Sequence, residues 1–141
     1  MATFTKFNAF VEDIAEKVHN LGSDTLKIML TLTAPSASNS VKADLTEIAA
    51  GDGYTAGGNT MTISSSSQTA GLYKLALADT VFTATAGTFA NFRYAVLYND
   101  TPTSPADPLI GYWDYGSTVD LGAGETFTVD CDATNGVLQL S

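Results

Sequence analysis

Few residues in this sequence are equipped for chemistry. One histidine, His19, and one cysteine, Cys131, stand among fifteen carboxylates and six cations in 141 residues. Nucleophilic catalysis of the Ser-His-Asp or Cys-His kind needs an imidazole set beside a hydroxyl or thiol. His19 is expected on a helix near Lys17 and Asn20, at its surface or at an interface. Cys131 is expected on a core strand, where a thiol behaves as a small apolar group. One His and one Cys do not furnish a four-ligand zinc site. Paired carboxylates would suit glycoside hydrolysis, but no motif singles out a pair. Asp114, between Trp113 and Tyr115, is the one carboxylate in an aromatic setting. With Tyr112, these aromatics are what a carbohydrate-binding module would present on one face; core packing or a subunit contact is the competing use. The stretch from Asp130 to Gly136 approaches the calcium loop D-x-D-x-[DN]-G, yet it has one residue too many before the glycine, and Ser141 stands where the twelfth-position glutamate belongs. Gly51-Asp52-Gly53 and Gly57-Gly58 lack the Lys-Ser/Thr and the strand-to-helix context of a phosphate loop. The expectation is a non-enzyme with no catalytic residues, no cofactor and no metal.

Composition narrows the partners. The net charge is −9, and Lys6, Lys17, Lys27, Lys42, Lys74 and Arg93 are scattered singly. Such a chain repels phosphates, so no nucleic-acid partner is expected. Hydrophobic residues make up 45% and charged residues 15%, which fits a folded domain rather than a disordered one. No apolar run reaches the roughly 18 residues of a spanning helix, and Met1 to Lys6 carries no secretory h-region, so no membrane association and synthesis in a cytoplasm are expected. A lone cysteine excludes an internal disulfide.

The elements that must position these residues change character at Gly22. Before it, Phe7, Phe10 or Val11, Ile14, Val18 and Leu21 recur at helical spacing, which predicts a helix over about 8–20 with Asn8 as N-cap and Gly22 as the stop. Its apolar stripe either packs on its own domain or docks on a neighbouring subunit. After it the period becomes two. Leu26, Ile28, Leu30 and Leu32 share one face of a strand that Pro35 ends. A short helix is expected over 43–50 with Leu45, Ile48 and Ala49 inward, then an irregular glycine-rich excursion over 51–59, available to lie across a partner's surface. Thr60 to Ser64, Leu72 to Ala78 and Val81 to Ala84 read as strands, with Ser65 to Gln68 as a polar tip. Phe92 to Tyr98 is apolar on both faces except at Arg93 and predicts a central strand covered on both sides. Asn135-Gly136 predicts a type I′ turn that pairs Cys131 with Leu140 in a terminal hairpin. The fold class expected is mainly β: a jelly-roll-like antiparallel β-sandwich with a short N-terminal helix, residues 1–22 forming an arm and 23–141 a single domain.

Four stretches carry a resemblance. Lys6-Phe7-Asn8 with Phe10-Val11-Glu12-Asp13 and Val18-His19-Asn20-Leu21-Gly22 is the first, and Gly51-Asp52-Gly53-Tyr54-Thr55-Ala56-Gly57-Gly58 the second. Phe92 to Asp100 and Gly111-Tyr112-Trp113-Asp114-Tyr115-Gly116 complete the set. Together they resemble a group of small virion proteins of tailed bacteriophages. The resemblance implies a capsid decoration, or cement, protein on the outer surface of the virion. Its partner would be the major capsid protein, and it would form a homo-oligomer, a dimer or trimer. A tail or head–tail component is the alternative within the same setting. Under this reading the partner contacts are sought in the arm and the glycine-rich loop, at Phe7, Phe10, Val11, Gly53 and Tyr54, and at the lone tryptophan, Trp113.

Overall fold

A computed structural model describes residues 2–141. The chain is mainly β, with antiparallel sheets and one short α-helix. In order come β1 (Phe4–Lys6), α1 (Asn8–Ala15), β2 (Leu26–Thr31), a 3-10 turn (Lys42–Asp44), β3 (Asn59–Thr60), β4 (Ile63–Thr69), β5 (Leu72–Leu77), β6 (Thr80–Thr83), β7 (Phe92–Asn99), β8 (Leu109–Val119), β9 (Thr126–Val129) and β10 (Leu138–Leu140). A five-stranded sheet runs β1-β8-β7-β2-β3; β10-β5-β4 and β6-β9 form two smaller sheets.

Residue alternation builds two cores from one sheet. Ile28, Leu30, Leu97 and Trp113 face Leu75, Leu77 and Leu138 of the three-stranded sheet and Phe82 and Val129 of the two-stranded one. Their neighbours Met29, Val96 and Tyr98 point the other way and pack with Phe7 and Leu109. β7 is therefore buried on both faces, as its apolar pattern, broken at Arg93, predicts. Burying two faces of one sheet is what lets a chain of this size form without a disulfide.

The departures from sequence expectation have local causes. The helix stops at Ala15, not near residue 20, because Lys17 takes the left-handed conformation (φ 67°) and the Val18 amide bonds back to the Asp13 carbonyl at 2.9 Å. That is a Schellman-type ending with lysine in the place usually given to glycine. Phe7, not Asn8, occupies the N-cap, and Asn8 is already helical. Leu32 lies past the end of β2 and is exposed. Over 43–50 only the 3-10 turn forms, capped by Asp44, whose Oδ2 accepts from the amides of Ser40 and Val41. Leu45 and Ile48 are half-buried there, while Ala49 is exposed.

Two turn assignments exchange places. Ser65 to Gln68 lies inside β4, and the tip is Ala70-Gly71, both at positive φ (53° and 83°), which closes Thr69 onto Leu72 as a two-residue type I′ turn does. Asn135-Gly136 forms no such turn, because Asn135 has no positive φ. Instead Asp132 Oδ1 accepts from the Thr134 and Asn135 amides, each at 2.9 Å, and the Gly136 amide bonds the Asp132 carbonyl. The chain then swings β10 onto β5, while β9 pairs with β6. The Asx turn outcompetes the hairpin for the same amides.

Candidate functional site

His19 follows the helix ending, in a loop that folds back toward the end of β7. It is 6% exposed, and its ring lies 5.2 Å from that of Phe10. Its Nδ1 accepts from Asn99 Nδ2 at 3.0 Å, an amide that also donates to Asp24 Oδ2 at 2.7 Å. Asp24 Oδ2 in turn accepts from the Asn20 amide, and Asn99 Oδ1 from the Thr101 amide. Burial pushes the imidazole pKa down to about 4 against a smaller opposing pull from Asp24, so the ring is neutral at pH 7 and carries its proton on Nε2. That Nε2 has no hydrogen-bond partner among the described residues. Among the described residues no hydroxyl or thiol hydrogen-bonds the ring, and the bonds it does make tie loop to strand. The same loop walls a cavity of about 540 Å³ together with Ser66, Tyr73 and Leu140 of the three-stranded sheet.

Cys131 is equally committed to structure. It is buried, its amide donates to Asp79 Oδ1 at 2.7 Å, and burial, then Asp79 and Asp130, push the thiol up to about 12. It stays protonated and unreactive at neutral pH. Asp114 accepts two bonds from Arg93, at 2.8 and 3.1 Å, and one from the Gly116 amide, all of which hold its pKa below the usual range. Asp132 is held down likewise by Asn135 and Thr134. No group of three His, Cys, Asp or Glu side chains suited to a metal occurs among the described residues.

The aromatic trio does not form a platform. Trp113 is 4% exposed, faces the main core and stacks on Phe4 at 4.8 Å, whereas Tyr112 points to the opposite face against Phe7. Adjacent strand residues alternate, so Trp113 and Tyr112 cannot share a surface.

Of the six residues expected to meet a partner, four are inside the protein. Phe7 and Phe10 are fully buried, and Tyr54 and Trp113 nearly so; Val11, 58% exposed, and Gly53 reach solvent. The glycine-rich stretch is not an outward excursion but a plug. Tyr54 Oη accepts from the Leu30 amide at 3.1 Å and donates to Glu47 Oε1 at 2.7 Å. Glu47 also takes the Gly57 amide and pairs with Lys42 at 3.2 Å, and Tyr98 Oη donates to the Gly57 carbonyl at 2.6 Å. Gly58 is glycine because its backbone lies on β2: a Cβ there would stand 1.9 Å from the Ile28 carbonyl oxygen, at φ 79°. The signal missed in the sequence is that glycines can mark close backbone approach as well as mobility.

What remains at the surface is acidic, with isolated apolar residues at Val11, Leu32 and Val81, and the outer edge of β4. Comparison with protein-family models, with curated proteins and with solved structures finds no match.

Proposed function

We propose that this protein is a non-catalytic virion component, a capsid decoration protein that binds the assembled shell of the major capsid protein in a tailed phage. One observation carries the reading. The four stretches that resemble small phage virion proteins converge in the fold: Phe7 and Phe10 pack beside β8, the Phe7 amide bonds the Ile110 carbonyl at 3.1 Å, β7 and β8 are paired neighbours, and Tyr54 sits under β2. The likeness therefore falls on residues that define the packing of this chain, which supports a kinship of fold and use. The engagement of His19, Cys131 and Asp114 in internal bonds supports a scaffold role.

Contacts with the shell then fall to exposed positions such as Val11 and Gly53, not to Phe7, Phe10, Tyr54 or Trp113. Each contact is small, and many equivalent sites on a shell supply the avidity. Copy number in purified virions tests this. A decoration protein is present at tens to hundreds of copies, a scale set by shell multivalency, and leaves the head before the major capsid protein dissociates. About a dozen copies or fewer at the portal or tail would overturn decoration in favour of a tail component.

A further inference from the structure

We propose that β4 is a self-association edge, through which two copies of the chain pair antiparallel and fuse their three-stranded sheets into one. β4 is the outer strand of the order β10-β5-β4. The two-residue turn at Ala70-Gly71 fixes which of its groups face β5: Thr69 and Leu72 close the turn, so Ser66 and Gln68 aim their N–H and C=O away from the sheet. Among the described residues, no backbone hydrogen bond from 63–69 reaches any segment other than β5. Side-chain bonds on the strand stay local, linking Ser65 to Ser67, Ser66 to Tyr73 and Gln68 to Gly71.

Proteins normally blunt such an edge by shortness, lysine, proline or a bulge. β1 and β10 have three residues and β3 two, while β6 and β9 have four each. β4 has seven, with no proline and no charge, and its one irregularity lies at the Ile63 end.

The occupant that fits is a second copy. With a net charge of −9, two copies of this chain meeting at most surfaces would press carboxylates together. At β4 they would not. A two-fold axis at Ser66 sets that residue opposite itself, Ser64 opposite Gln68 and Ser65 opposite Ser67 of the other copy, an isologous contact. Small hydroxyl side chains admit the 4.7–4.9 Å spacing of neighbouring strands, and facing serines hydrogen-bond across it. The seam alone falls short of the roughly 1,200 Å² of a standard stable interface, so the dimer is weak and concentration-dependent.

Analytical ultracentrifugation of the full chain, from low micromolar to millimolar at physiological salt, tests it. The mass is expected to climb from monomer toward dimer. Ser66→Pro removes the outward amide while leaving the ladder to β5 intact. The double variant Ser65→Lys, Ser67→Lys keeps every backbone bond but sets like charges opposite each other across the seam. Both should keep the wild-type circular dichroism and weaken dimerisation by at least about tenfold. Should Ser66→Pro fail to fold, the lysine pair decides. A wild type that stays monomeric throughout, or a folded lysine pair that dimerises as well as the wild type, overturns the proposal.

Discussion

The outer edge of β2 and the outer edge of β4 pose the same physical problem and receive opposite treatments. Along β2, β3 pairs with Lys27 and Ile28, the Met61 amide takes the Leu26 carbonyl, the Ile48 amide takes the Leu30 carbonyl, and Tyr54 Oη takes the Leu30 amide. A segment with almost no regular structure thus completes a sheet. Along β4 nothing comparable arrives among the described residues. The lesson is that a loop's irregularity says little about its rigidity: the 45–58 stretch is fixed by buried polar bonds, while a regular strand is left open.

The sharpest way to break the contrast is Gly58→Ala. The added methyl meets the Ile28 carbonyl in a left-handed backbone, so the plug cannot seat; a loss of about 3 kcal/mol or more in urea unfolding is expected. Tyr54→Phe is milder. It orphans the Leu30 amide and one bond of Glu47 inside the closed edge, and should cost about 1–3 kcal/mol.

Acid should probe the side of the molecule beside β4. His19 has a folded pKa lowered to about 4 from an ordinary 6.5, so the unfolded chain takes up the proton first. Stability is then full above about pH 6.5 and declines as pH falls toward about 4, where the contribution is spent. Asp114 and Asp132, held below their usual range, add a further loss at lower pH as they protonate. Thermal melts across pH 7 to 4 should show the decline, and His19→Gln should flatten it. Smallest of all is Ser66→Pro: its outward amide has no partner among the described residues, so the change costs only the Ser66–Tyr73 hydroxyl bond, about 0.5–1 kcal/mol. Comparable losses for Tyr54→Phe and Ser66→Pro would erase the distinction between the two edges.

Much of this fold was legible in the sequence. β2, β5 and β7 announce themselves by period-two patterning or, in β7, by apolar character on both faces except at Arg93, and Cys131 by its alternation with Asp130 and Asp132. The misreadings cluster where one residue type serves two ends. Asn135-Gly136 is a strong turn signal, but the carboxylate of Asp132 three residues earlier competes for the same amides and wins. Gly136→Val would not tell the two readings apart, since φ 78° and the Leu75 carbonyl penalise it in either. Ala70-Gly71 gives a weaker signal, yet forms the positive-φ pair. For the candidate site, Tyr54 is expected as a contact from its place in the glycine-rich loop, and Trp113 from its type, because aromatic anchors suit interfaces and cores alike. Burial, which depends on the whole chain, decided for the core.

The pairing of β1 with β8 has a temporal side. Phe4 is registered against Trp113, and Gly111 lies bare beneath the Phe4 ring. At synthesis rates of about 5–20 residues per second, the N-terminal strand waits roughly 5–20 seconds for a partner about a hundred residues downstream. Throughout that interval Phe4, Phe7 and Phe10 have no sheet to bury them. Closure of this strand pair therefore belongs to the slow, long-range class of β assembly, and until it forms nascent chains hold these aromatic side chains exposed.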